Sequence, residues 1–221
     1  MKCGRHVVLI TLHADPARPS GVGGWGGTHA YIRELMLGLT QNRWNVTVLT
    51  RWEDLALPER ESITSNLRLM RLQIGELAPI DKRLLDGLHP VSLRAARSVL
   101  QDFEDINLLH SVYWNSGRLA KDLASDLGIG FVHTVISNGW RRRLQGAHDE
   151  PANRRPVEQQ VFHSASAIFC ISQQERADLI DHYDVNPGKL VVVGRPVAST
   201  FLRPCHDESG RPAHQGRIEA P

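Results

Sequence analysis

The chain is predicted to fold as a doubly wound α/β domain with a mainly parallel sheet of about seven strands. Two observations carry this. Short runs rich in Val, Ile and Leu alternate with longer segments of helical spacing along most of the 221 residues. Most of the runs are near-continuously apolar rather than alternating, the pattern of strands covered on both faces.

The strand candidates, in order, are 6–12 (HVVLITL), 45–51 (NVTVLTR), 67–74 (LRLMRLQI), 107–113 (NLLHSVY), 130–136 (GFVHTVI), 167–172 (AIFCIS) and 189–194 (KLVVVG). Helical spacing occupies 28–42, 81–103, 115–127, 155–165 and 173–184. Thr28 is placed to cap the first helix, which carries Ile32, Leu35 and Leu39 on one side. Ser172 is placed to cap the last, with Glu175 three residues on as a capping-box partner. The stretch VNPGK (185–189) has turn chemistry. The basic loop 138–156 is long for a compact domain, a mark of a functional or mobile segment. Residues 205–221 are polar and rich in Gly and Pro and are expected to form a loose tail, leaving 1–204 as the domain.

Composition narrows the function classes. Lys and Arg total 26 against 24 Asp and Glu, a balance that argues against a general nucleic-acid or membrane-surface binder. Cys3, Cys170 and Cys205 are odd in number and far apart, giving neither a disulfide framework nor a zinc knuckle. A reducing, cytoplasmic setting fits that usage. The run HVVLITLHA is too short to span a bilayer and lacks the features of a signal peptide. The eleven histidines show no ligand-like clustering, so no metal is expected, and no P-loop, HExxH or GxSxG occurs.

The stretch GVGGWGGTHAYIREL (21–35) contains a literal GxGxxG at Gly21, Gly23 and Gly26. A dinucleotide fingerprint needs the first strand to run almost directly into the first glycine. Here ADPARPS intervenes, and Arg51 rather than an acid ends the second strand, so at best a 2′-phosphate would be served. Gly26 and Gly27 fit another phosphate chemistry better. They directly precede Thr28 at a helix start, where unpaired N–H groups and the positive end of the dipole favour an anion, and glycine permits close approach. A ligand-free surface loop is the plain alternative.

Four stretches in order, GGWGGTHAYIREL (23–35), LLHSVYWNSG (108–117), GFVHTVISNGW (130–140) and ERADLIDHYDVNPGKLVVVGRPV (175–197), resemble the N-terminal half of retaining GT-B glycosyltransferases, especially the sucrose-phosphate synthase and mycothiol glycosyltransferase-like group. The resemblance covers about 1–204. It implies a Rossmann-like, acceptor-side domain acting in retaining hexosyl transfer from a nucleotide-diphosphate sugar, with that sugar as co-substrate and no further cofactor. It implies that Gly26 and Gly27 form the donor phosphate loop and that Thr28 and His29 face the cleft. Leaving-group stabilisation would come from helix N-termini and cations.

Three departures qualify it. The family's T-x-H after the fifth strand reads Thr134, Val135, Ile136, and Ile136 cannot hydrogen-bond a sugar. His133 lies at an odd offset and so points to the opposite sheet face. The family's HSHYW reads HSVYW, keeping His110 but placing Val112 at the second histidine. The Lys/Arg and paired glutamates of a donor-binding domain have no counterpart. One half of a two-domain cleft cannot enclose a nucleotide sugar or exclude water. The chain alone is therefore expected to be inactive or nearly so, as half of a split transferase with its donor-binding domain on another chain, as a non-catalytic helper of a full-length enzyme, or as a fragment.

Other candidates are weighed on their residues. Tyr113 and Trp114 end the fourth strand and offer aromatic faces to a sugar, or pack under a loop. Thr134 and Asn138 sit at the end of the next strand; Asn115, Ser116 and Asn138 could bond hydroxyls or cap helices. Arg141 and Arg142, with Arg143, Arg154 and Arg155, place five arginines around one loop, suited to an anionic acceptor group or to solvent. His110 and His133 read as core histidines, and Glu158 as a structural contact.

Overall fold

The computed structural model describes residues 5–17, 27–147 and 149–194. Gly21, Gly23, Gly26, Cys3, Cys205 and the tail 205–221 lie outside these residues. The described chain forms one sheet of eight strands, ordered β3-β4-β2-β1-β5-β6-β7-β8. The strands are β1 (His6–Thr11), β2 (Asn45–Arg51), β3 (Arg60–Thr64), β4 (Leu67–Leu72), β5 (Leu108–Val112), β6 (Phe131–Val135), β7 (Ala167–Cys170) and β8 (Leu190–Val192). All neighbours pair parallel except β3, which runs antiparallel along β4.

The expected seven strands are all present, and β3 is the eighth. Its sequence, RESIT, is polar and almost wholly exposed, so it lacks the apolar run that marks the others. It is an edge strand held by a hairpin to β4 and, through Arg71, by side-chain bonds. Arg71 is buried and donates to Asp15 (2.6 Å), Glu61 (2.8 Å) and the Pro58 carbonyl (2.6 Å).

The six α-helices among the described residues are α1 (Gly27–Gln41), α2 (His89–Leu100), α3 (Trp114–Leu127), α4 (Gly139–Leu144), α5 (Arg154–Ser164) and α6 (Gln173–Tyr183). Three expectations are corrected. The single helix over 81–103 is a 3-10 turn, Lys82–Leu88, followed by α2, because Pro90 suits a first helical turn and not an interior one. The loop 138–156 contains α4, capped by Asn138, whose side chain accepts from the Arg141 N–H. Thr28 lies inside α1 rather than at its cap, since the helix already includes Gly27. Ser172 does cap α6, and Glu175 returns a bond to the Ile171 N–H.

Helices α2, α3, α5 and α6 pack one face of the sheet around a core that includes Leu109, Phe131 and Ile168. Helix α1 packs the other, over Val7, Leu9, Val46 and Val48. The two clusters explain the unbroken apolar runs: every residue of β1 is buried, facing α1 and α3 by turns. On the α1 side the flank of β5 to β8 carries no second helix among the described residues. Val191 and Val193 stand 45% and 50% exposed there. A groove of about 680 Å³ separates Glu34, Leu35 and Gly38 of α1 from Val193 and Gly194.

Candidate functional site

In an open α/β sheet, ligands collect at the carboxyl ends of the strands where the strand order reverses. Here β1 lies between β2 and β5, and that point is the gap between their carboxyl ends. The residues just past those ends are His13 and Tyr113, and their rings meet at a centroid distance of 4.4 Å.

Tyr113 is the keystone of the edge. It leaves β5 with φ 75° and ψ 152° before α3 begins. That region is essentially reserved for glycine and costs about 1–3 kcal/mol for other residues, so surrounding contacts must hold it. The contacts are visible. The Lys82 ammonium lies 5.5 Å and the Arg154 guanidinium 5.2 Å from its ring centroid, both at cation–π distance. The ring is 4% exposed. Burial raises the phenol's pKa.

The cations differ. Arg154 is buried and fully engaged, donating to Glu158 (2.7 Å), Glu150 (2.5 Å) and Ser137, with Tyr113 Oη at 3.5 Å. Lys82 is exposed and forms no ion pair among the described residues. His13 responds to both. Burial, then Lys82, His29 and Arg154, hold its pKa down to about 3, so it is neutral at neutral pH. Its Nδ1 is buried without a hydrogen-bond partner.

Helix α1 reaches the same edge. Its Tyr31 hydroxyl lies 3.3 Å from Thr134 Oγ1, one turn after Gly27, and His29 is near enough to act on His13. Gly27 is exposed and Thr28 half-buried in the first turn; Gly26 is outside the described residues.

The remaining predicted residues are dispersed. Thr134 is fully buried, its hydroxyl shared between Tyr31 and His110 Nε2 at 2.8 Å. Trp114 is 2% exposed and belongs to the core. Asn138 is buried, capping α4 and donating to Asp178. Arg141 makes a two-armed pair with Asp178. Burial pushes that carboxyl's pKa up, but Arg141 and Asn138 outweigh it and hold the group below its ordinary value. Arg142 binds Glu150 at 3.2 Å. Arg141 and Arg142 line a separate cavity of about 310 Å³ with Ile136, Asn138, Ser172 and Glu175. Of the five arginines, Arg154 is the one packed on Tyr113; Arg155 instead stacks on Trp140 and Tyr183.

Several residues behave as structural members. His133 Nδ1 lies 2.8 Å from Ser111 Oγ on the face opposite Thr134, as the odd offset required. Glu158 accepts from the Gly139 N–H, Arg154 and the Tyr183 hydroxyl. Arg51, the residue a 2′-phosphate would have needed, is enclosed and donates to the carbonyls of Ile74 and Ala78 and to Glu53. Ile136 and Val112 pack with the α1-side apolar cluster. Among the described residues, no group of three His, Cys, Asp or Glu could hold a metal ion, and no helix is long and apolar enough to cross a membrane.

Sequence reasoning missed His13 and Lys82. His13 was legible only as the end of a strand. Lys82 sat in a stretch of helical spacing, and no motif marked it.

Comparison with known proteins agrees with this geometry. The model of the glycosyl transferase 4-like domain matches residues 26–196. D-inositol 3-phosphate glycosyltransferases of Streptomyces scabiei and Kineococcus radiotolerans are each 28% identical over 98% of this chain, covering 49% and 50% of their own lengths. The chain therefore spans about half the length of the curated relatives it matches. The sucrose-phosphate synthase of Thermosynechococcus elongatus superposes with a TM-score of 0.78 at 26% identity, over 86% of this chain and 48% of that one. The catalytic domain of starch synthase IV from Arabidopsis thaliana shares the fold at 11% identity, with a TM-score of 0.58 over 93% of this chain and 54% of its own. The strand order, the crevice between β1 and β5, and a domain match over most of the sequence lead to one conclusion: the chain belongs to the glycosyl transferase 4-like domain family, as an N-terminal-type GT-B domain.

Proposed function

We propose that this chain is the acceptor-binding half of a retaining hexosyl transfer from a nucleotide-diphosphate sugar, and that its acceptor carries a phosphate. One observation carries the reading. An exposed lysine without an ion-pair partner among the described residues and a buried arginine converge on Tyr113 at the switch point, beside the first turn of α3. Lys82 supplies an uncommitted positive charge, Arg154 a fixed one, and the α3 N–H groups the positive end of a dipole. A phosphate answers Lys82 and the α3 N–H groups, while Arg154, already paired with Glu150 and Glu158, braces Tyr113 beside them. The relatives whose printed name is D-inositol 3-phosphate glycosyltransferase support an acceptor of that class, a polyol phosphate. In this reading Gly26 and Gly27 serve the donor phosphates, and Thr28 and His29 bind the acceptor or the sugar.

The donor-binding half comes from another polypeptide segment, and the protein acts in the cytoplasm without a metal. Transfer is measured for this chain and for a donor-binding chain encoded beside it, alone and together. The reading predicts transfer to D-inositol 3-phosphate from the pair alone, and Lys82→Ala lowering the chain's affinity for that acceptor about tenfold. Full transfer by this chain alone overturns it.

A second reading, a non-catalytic helper of a full-length transferase, is favoured by Ile136 and Val112. Both pack in an apolar cluster where the resemblance expects histidines. A pair that binds acceptor but transfers nothing, together with a gain in a full-length enzyme's activity on adding this chain, selects that reading.

A further inference from the structure

Two buried polar groups near Tyr113 have no partner among the described residues, and the anion-binding reading uses neither. Asn115 is 3% exposed in the first turn of α3, and both its Oδ1 and its Nδ2 are without a hydrogen bond. His13 Nδ1 is the other. The Leu12 N–H donates to Ser116 Oγ at 3.0 Å, pinning the end of β1 to the first turn of α3, and His13 and Asn115 flank that bond. The N-terminus of α3, a helix of 14 residues, also lacks a side-chain cap.

Buried polar groups are normally satisfied, and an orphaned amide is costly. The kind of missing partner follows from the atoms. An anion offers acceptors only and would leave Oδ1 unpaired against a negative charge. A hydroxyl donates once and accepts twice, so it can give its proton to Oδ1 while accepting from Nδ2 or from a neutral imidazole. His13 is held neutral, which keeps one ring nitrogen an acceptor and the other a donor.

We infer that Asn115, with His13, binds an uncharged hydroxyl of the acceptor next to its phosphate, and so selects a polyol phosphate over a bare anion. The inference rests on the acceptor reading above and adds a specificity-determining residue to it.

The test uses the 221-residue chain and two probes titrated separately, D-inositol 3-phosphate and inorganic phosphate. Asn115→Leu, of similar bulk and without polar atoms, should weaken the polyol phosphate about tenfold and leave inorganic phosphate unchanged. Asn115→Ala, too small to clash, should show the same selective loss. Equal weakening of both probes, or no weakening of either, overturns the inference while the anion site stands. A parent chain that binds neither probe overturns the acceptor reading, and this inference with it.

Discussion

His13 and Tyr113 pack ring against ring across the point where the sheet reverses its strand order, joining the ends of β1 and β5. The contact helps hold Tyr113 in a backbone conformation that side chains disfavour. That gives an unusual ranking of substitutions. Tyr113→Ala loses the ring contacts and keeps the strain; Tyr113→Gly loses the ring and relieves the strain. The glycine variant should be the more stable of the two by about 1 kcal/mol in urea unfolding, opposite to the usual order of Ala and Gly.

Histidine burial sets a pH window. Burial lowers the pKa of His110 to about 4, and burial with the charge of His110 lowers that of His133 to about 3. The unfolded chain protonates these rings near pH 6.5. Between pH 6.5 and 4 the unfolded state therefore binds more protons, and stability falls as pH falls, by up to about 1.4 kcal/mol per pH unit for each histidine. Above pH 6.5 the contribution is complete. Urea midpoints at pH 7, 6 and 5 should show this slope, and His133→Asn should reduce it by about one proton.

Gly117 is where α3 meets α5. A Cβ there would lie 2.7 Å from Val161 Cγ1 and 2.9 Å from His133 Cε1. Alanine is the better helix former by about 1 kcal/mol, but overpacking costs about 1–3 kcal/mol. Gly117→Ala should therefore destabilise the fold in thermal unfolding. Adding Val161→Ala should recover part of the loss, the mark of coupled neighbours.

Glu158 holds three separate elements. Its carboxylate accepts from Gly139 at the start of α4, from Arg154 within α5 and from Tyr183 at the end of α6. Glu158→Ala orphans all three donors beside a buried guanidinium and should cost about 3–5 kcal/mol. Tyr183→Phe removes two hydrogen bonds, one to Glu158 and one from the Trp140 N–H, and should cost about 2 kcal/mol. Denaturant titration separates the two.

How much of this was legible depended on what each residue faces. The strands buried on two faces, such as Val7 to Ile10 and Val46 to Leu49, announce themselves as apolar runs. β3 is exposed and pinned by Arg71 from the next strand, a long-range cause that no local pattern records. α4 is six residues long inside a basic loop, too short for a periodic signal. The arginine cluster was visible in the sequence, but its division was not: only folding shows that Asp178 takes Arg141, that Arg142 and Arg154 share Glu150, and that Arg154 lies beside Tyr113. Lys82 reaches the same ring from a 3-10 turn 31 residues upstream, a proximity set by the sheet's topology alone.

The bare flank beside β8 bears on how the chain behaves in solution. Val191 on the short edge strand β8 and Val193 just past its end present valine side chains to water, next to the groove bounded by Leu35. Such an edge invites pairing with another copy. Prepared by itself, the polypeptide should be sticky, with apparent mass in light scattering climbing as it is concentrated. Detergent or a lysine at 193 should tame it.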